Sequence, residues 1–369
     1  MSTRKGQVLR TKAKANDVVH DLPHRLALIT HSLFQSAFST YPRGCAYLQA
    51  LPDDDRITQK NGRLYYDNFP LDSVTLSKFC AAQVKQGVSP DLPLLRVLYS
   101  IILDVCQTHG TNGNMKACVI TVYIPELWVC MGKSRHTSKN DLETLKRKIN
   151  ELCKFVGVIK SVDNTASDKV LPLLRANYDD TANTLQFVSP YMQQLIYAIQ
   201  KNSIKRDKDG RPKYKKNGDL QTLPSHSYLI LSSIAKERNK PAVEVVCIVV
   251  AVIEQTGGPR KDGYAYPHLK VRTIIQRCPI LQQKLDHAAT VAQKDKILHH
   301  VFQKAWELLR TKTRLTTVYP DIYLPSATCV ADIPTSKTLD QTITFYHRGK
   351  SRSSETIHES SESCPTKFG

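Results

Sequence analysis

The stretch RHTSKNDLETLKRKINELCKFVGVIKS, from Arg135 to Ser161, decides how the rest of the chain is read. Leu142, Leu145, Ile149 and Leu152 recur at steps of three and four, the period of a helix with one buried face. Ser138 is placed to cap its start, with Asp141 three residues on as the partner of a capping box. Gly157 is expected to end the helix before an extended Val158-Ile159, so the segment predicts a helix running into a strand. Opposite the apolar stripe fall Asn140, Glu143, Thr144, Arg147, Glu151 and Lys154, flanked by Lys139, Lys146 and Lys148. A helix that packs on one face and offers Asn, Thr, Arg and Lys on the other suits the DNA major groove. There Arg grips guanine, Asn grips adenine and Lys neutralises phosphate. The bland alternative is the solvated face of an ordinary amphipathic helix, and the neighbouring sequence separates the two.

On the N-terminal side, Asp91 to Gln107 predicts a buried helix with Pro93 in its first turn, where proline is tolerated. Lys116 to Ile124 is rich in β-branched residues and predicts a strand. Pro125 starts a short helix that Gly132 ends. On the C-terminal side, Leu171 to Asn177 and Thr184 to Val188 are extended runs, with Tyr178 to Asn183 as the turn between them. Helix, strand, helix, basic amphipathic helix and β-hairpin is the order of a winged-helix domain, expected over residues 90–200.

Further out, a helix at Pro190 to Gln200 leads into residues 201–226, a Gly- and Pro-containing basic linker or loop. A second copy of the same order is expected over 227–350. Helices are predicted at Tyr228 to Arg238, Pro241 to Gln255 (apolar nearly all round), His268 to Arg277 and Lys294 to Arg314. In the last of these, Leu298, Val301, Ala305, Leu308 and Leu309 share one face, while Lys296, His299, Gln303, Arg310 and Arg314 share the other. Extended runs at Thr316 to Leu324 and Thr342 to His347 would form a second wing. Residues 21–89 form an N-terminal extension, with an amphipathic helix expected from His24 to Leu51 and a short hairpin arm at Leu64 to Phe69. Residues 1–20 read as a flexible basic arm and 351–369 as a disordered Ser-rich tail. The expected fold class is α+β, mainly helical, with two tandem winged-helix domains.

Lys plus Arg outnumber Asp plus Glu by 52 to 33, a formal charge of +19 that favours a polyanionic partner, nucleic acid before an anionic membrane surface. The longest apolar run, Val245 to Ile253, is too short to span a bilayer. No hydrophobic signal core follows the basic N-terminus, which predicts a cytoplasmic protein. The 10 cysteines are scattered without a C-x-x-C pair, which argues for reduced thiols and against a zinc ribbon or a disulfide scaffold.

Catalytic signatures are weak. Gly132-Lys133-Ser134 and Gly349-Lys350-Ser351 have Leu127 and Thr344 where a P-loop needs its first glycine. Lys133 is instead a phosphate contact or a plain turn lysine, and Arg135 stands beside it. A rolling-circle nickase needs two histidines separated by one apolar residue; the chain offers only His20 with His24 and the adjacent pair His299-His300, whose rings diverge on a helix. Tyr319 and Tyr323 lack the upstream H-x-x-R of a tyrosine recombinase. No cofactor, metal or enzymatic activity is expected. Trp128 and Trp306 sit among apolar residues at helical spacing and predict core anchors.

The duplicated order of elements, together with VYPDIYLP (Val318 to Pro325) and ITFYHRGKS (Ile343 to Ser351), resembles the iteron-binding replication initiators of plasmids and related mobile elements. Those proteins are built from two tandem winged-helix domains. The resemblance implies binding of direct repeats in double-stranded DNA near an origin, recruitment of host replication proteins, and a possible homodimer. It also implies Asn140, Thr144 and Arg147 as base readers in the first domain, and His299, Gln303 and Arg310 in the second. A transcriptional regulator of a mobile element, and a DNA-processing enzyme such as a recombinase or nickase, are the alternatives.

Overall fold

The computed structural model describes residues 19–348 except 21, 24, 41, 43, 52–53, 61–62, 77–89, 109–118, 136–137, 162–167, 231–233, 235 and 257–261. Nearly all of the expected N-terminal arm and the whole expected Ser-rich tail lie outside the described residues. The chain forms two compact units, Met1–Lys236 and Glu237–Gly369. It is a mixed α/β protein, 42% helical and 22% strand, with small sheets.

The first unit is built on helix α1 (Leu92–Thr108), whose Leu94, Leu95, Leu98, Ile102 and Leu103 are all fully buried. Asp91 caps its start by accepting from the Leu94 N–H at 3.0 Å. Strand β6 (Ile120–Tyr123) runs directly into α2 (Ile124–Cys130), with Pro125 in the first turn and Gly132 at φ +77° just past the end. Helix α3 (Lys139–Cys153) follows, then β7 (Phe155–Ile159), β8 (Lys169–Pro172), β9 (Arg175–Asp179) and β10 (Thr184–Val188). The β9–β10 hairpin joins β6 in an antiparallel sheet of order β6-β10-β9, with Leu185 opposite Val122 on one side and Tyr178 on the other. Helix α4 (Pro190–Ser203) closes the core with Tyr191, Leu195 and Ile199 fully buried.

Between Arg25 and Ala50 the chain forms strands rather than the expected helix. The run from His24 to Leu51 forms β1 (Arg25–Ile29), a single 3-10 turn (Ser32–Phe34) and β2 (Ala46–Ala50). Strand β2 pairs with β7, and β7 with β8. The arm expected at Leu64 to Phe69 is a three-stranded meander of β3 (Ile57–Lys60), β4 (Arg63–Tyr66) and β5 (Phe69–Pro70). Gly157 does not end a helix: it lies inside β7, where an added Cβ would come within 1.9 Å of the Tyr191 ring. The glycine lets the strand pass against that ring, while α3 ends at Lys154 in ordinary helical geometry.

The segment 201–226 is not a linker between the units, because the division falls at 236/237. The helix expected from Tyr228 to Arg238 begins instead on a strand, and residues 231–233 and 235 lie outside the described residues. His226–Ile230 form strand β11, antiparallel to β1 with Ala27 opposite Tyr228. The Arg25 guanidinium lies 4.5 Å from the centre of the Tyr228 ring, and Ser100 of α1 accepts from the Ala27 N–H at 2.7 Å.

The second unit centres on α5 (Lys240–Gln255), buried on nearly every side from Pro241 to Ile253. The segment His268 to Arg277 divides into strand β12 (His268–Lys270) and helix α6 (Val271–Gln276), repeating the strand-into-helix junction of the first unit. Helices α7 (Pro279–Asp286) and α8 (Val291–Thr311) follow. Thr316 to Leu324 is not a strand: it contains the short helix α9 (Leu315–Val318) and irregular chain. Strand β13 (Thr342–Thr344) therefore finds its partner in β12, with Leu269 opposite Ile343. Trp306 and Phe345 are fully buried in this core, and the indole N–H donates to the Asp332 carbonyl at 3.0 Å.

Candidate nucleic-acid interface

Each unit presents one amphipathic basic helix. The start of α3 is fixed by a complete capping box: Ser138 Oγ accepts from the Asp141 N–H at 3.2 Å, and Asp141 Oδ2 accepts from the Ser138 N–H at 3.1 Å. The Ser138 hydroxyl, donating to Asp141 Oδ2 at 2.7 Å, and then the Ser138 N–H hold the Asp141 carboxyl below its usual pKa. Leu145, Ile149 and Leu152 are buried beneath the helix. Two flanking lysines tie it down. Lys146 Nζ lies 2.7 Å from Asp180 Oδ1 in the β9–β10 turn and packs near the Tyr178 ring, while Lys148 Nζ lies 2.5 Å from Asp91 Oδ2 at the start of α1. Tyr178 returns a bond to the Lys146 carbonyl at 3.2 Å. Lysines that read on a helical wheel as flanking charges thus act as struts, orienting α3 against the hairpin and against α1.

What remains open on α3 is Lys139, Asn140 and Arg147, all exposed, and among the described residues no side-chain hydrogen bond or ion pair engages them. Thr144 is half-buried at the edge of that face. Glu143 and Glu151 share the face, so it carries both signs of charge. Lys133 and Arg135 are exposed ahead of the helix; the Lys133 ammonium sits 5.8 Å from the centre of the Trp128 ring, beside the largely buried core anchor expected there.

Helix α8 repeats the design. Thr290 caps it with Gln293 as the reciprocal partner, and Leu298, Val301, Phe302, Ala305, Trp306, Leu308 and Leu309 are buried. Lys296, His299 and Gln303 stand exposed on the opposite side, and among the described residues no side-chain partner engages them. Arg310 is different. Its guanidinium donates to the carbonyls of Leu324 and Pro325, the latter at 3.4 Å, and so braces the irregular segment against the helix. The expected base reader is a strut. Arg314 is exposed but lies beyond the end of α8, at the start of α9.

The structure also sets Lys296 beside residues that the sequence pattern did not single out, and gives a shape to the basic segment that was expected to anchor phosphates. An open groove of about 460 Å³ lies between α7 and the first turns of α8, lined by Lys284 and His287 together with Lys296, Gln293 and Ile297. Residues 204–222 of the first unit form an ordered basic finger. The signal for it was an echo at a spacing of eight residues, Asp207-Lys-Asp-Gly210 and Lys215-Lys-Asn-Gly218, which reads as a pair of tight turns. Among the described residues, no group of three or more His, Cys, Asp or Glu side chains is placed to hold a metal ion. His299 and His300 are exposed on α8, and Tyr319 is buried against the His347 ring at 4.4 Å. Burial and the nearby Glu254 raise the Tyr319 phenol far above its ordinary pKa. Among the described residues no helix is long and apolar enough to cross a membrane. No family model, no curated protein and no solved structure matches the chain.

Proposed function

We propose that the chain is a sequence-specific double-stranded DNA-binding protein with two winged-helix modules, acting as an origin-binding replication initiator of a plasmid or mobile element. The observation that carries this reading is the division of labour on α3. Lys146 and Lys148 are consumed in orienting the helix, while Lys139, Asn140 and Arg147 are left open on its outer face. A helix held rigidly by its flanks, with an unengaged amide and guanidinium, is what base reading in a major groove demands. The order α1, β6, α2, α3 and hairpin, with sheet order β6-β10-β9, supports a winged-helix module. In the second unit the order α5, β12, α6, α7 and α8, with β13 returning to β12, supports a copy with one added helix, α7, and with Lys296, His299 and Gln303 as its readers.

In this mechanism α3 and α8 each enter a major groove, the β9–β10 hairpin lies beside the backbone, and two tethered modules raise affinity through effective concentration. Direct repeats at an origin, a homodimer and host replication proteins are proposed as partners on the family resemblance alone. DNase footprinting of the DNA flanking the gene tests the reading. Protected direct repeats, weakened by Arg147→Ala and by the double variant Lys296→Ala/Gln303→Ala, are expected. Uniform protection of any duplex, indifferent to these substitutions, would overturn it. Protection of one inverted repeat at a promoter would favour regulation over initiation.

A further inference from the structure

The finger at 204–222 rises from the first unit between α4 and β11. Its base is fixed where the Leu223 N–H donates to the Ser203 carbonyl at 2.6 Å and the Thr30 N–H donates to Ser225 at 3.1 Å. Three short extended segments close on one another. The Lys205 N–H donates to Gln221, the Gln221 N–H to Lys213, and the Lys213 N–H back to Lys205, at 2.8, 2.8 and 2.9 Å. Bridges at Ile204 and Thr222, Arg206 and Pro212, and Tyr214 and Leu220 complete the closure. Both turns depend on glycine, Gly210 at φ +79° and Gly218 at φ +88°, with nothing near the position of an added Cβ. The requirement there is conformational and not one of packing.

Every residue from Lys208 to Leu220 is exposed, so the finger holds its shape without a core of its own. Ordering backbone costs on the order of 1–2 kcal/mol per residue, and each hydrogen bond returns only about 1 kcal/mol. The order of this protrusion rests on its turns and backbone bonds, which leaves its side chains free to serve a surface. Its charges are sorted accordingly. Asp207 accepts from the Asp209 and Arg211 N–H groups at 2.9 and 2.8 Å, and Asp219 accepts from Asn217 at 2.7 Å, so these two carboxylates serve the turns. Among the described residues, no side-chain bond or ion pair engages Lys208, Arg211, Lys213, Lys215 or Lys216. Set among them is an apolar cross-strand pair, Tyr214 at 59% and Leu220 at 40% exposure.

We propose that this finger is a sequence-independent clasp on the sugar–phosphate backbone of duplex DNA. Its lysines and Arg211 neutralise phosphates, and the Tyr214–Leu220 pair packs on the deoxyribose faces between them. An acidic protein surface would satisfy the cations but leave the apolar pair uncovered; a deoxyribose–phosphate chain alternates the two chemistries at close spacing. The proposal rests on the DNA-binding reading above and deepens it, since that reading needs only α3 and α8.

The test uses the full chain, with Lys208→Gln/Lys213→Gln/Lys215→Gln/Lys216→Gln as one variant and Tyr214→Ser/Leu220→Ser as a second. Both retain the turn glycines and Asp207, and circular dichroism checks their folding. Affinity is measured against a footprinted duplex, a scrambled duplex and polyglutamate over a range of salt. The clasp predicts that the lysine variant binds both duplexes at least about tenfold more weakly, with a salt slope shallower by about 3–4. It predicts that the apolar variant weakens both duplexes equally at unchanged slope. Unchanged duplex affinity in both variants would overturn the clasp while leaving the DNA-binding reading intact, and so would losses confined to the footprinted sequence or to polyglutamate. If the wild type binds neither duplex, both fall.

Discussion

His226 shows how a single buried side chain gives this fold a pH dependence. It begins β11, its Nδ1 lies 3.1 Å from the Tyr99 hydroxyl, and desolvation together with the facing His31 pulls its pKa down to about 4. His31 in turn has its Nε2 against the Asn202 carbonyl at 3.1 Å. In the unfolded chain a histidine titrates near 6.5, so between about 6.5 and 4 the unfolded state binds the proton that the folded state refuses. Stability is therefore complete above pH 6.5 and declines as pH falls toward 4, by roughly 3 kcal/mol in total from this group. Urea unfolding of the wild type should show a lower midpoint at pH 5 than at pH 7. In His226→Phe, whatever its absolute stability, that difference should shrink; an equal difference in both proteins would place the pH dependence elsewhere. Nothing in the sequence around His226 marks it, because its partners come from α1 and from the chain after β1.

At the scale of elements, what was legible was what is encoded locally. The period of Leu145, Ile149 and Leu152, the Ser138–Asp141 box and the Gly132 stop place the start of α3 and the end of α2 where the pattern predicts them. Ser138→Ala should cost about 1 kcal/mol of stability, because it removes one acceptor for the first-turn N–H groups of α3. Chemical denaturation followed by circular dichroism reads that loss, and an unchanged midpoint would mean that packing alone fixes the helix. What was not legible is set by distant pairing. The apolar run at Arg25–Ile29 fits a buried helix or a buried strand equally well, and β11, some 200 residues on, decides for strand. The stretch from Thr316 to Leu324 has strand composition, but β13 already pairs with β12, and Arg310 holds this chain by its carbonyls in an irregular course. The candidate site was half legible for the same reason. Spacing assigns a residue to the outer face of a helix but does not reveal which charges are taken: Lys146, Lys148 and Arg310 are bound to other parts of their own unit, while Lys139, Asn140, Arg147, Lys296, His299 and Gln303 are not.

For the whole molecule, an excess of 52 basic over 33 acidic side chains would attract any polyanion, and charge alone separates a specific reader from a general one poorly. Under the proposed function the open face of α3 reads bases. Selection of duplexes from a random library by the full chain, sequenced after several rounds for the wild type and for Arg147→Ala, tests that claim most directly. The wild type should enrich a defined motif, and Arg147→Ala should relax it at one or two adjacent positions. Discrimination there should fall by about 1–3 kcal/mol, with the rest of the motif intact. A wild type that enriches no sequence, or an Arg147→Ala variant that enriches the same motif with undiminished preference, would contradict it.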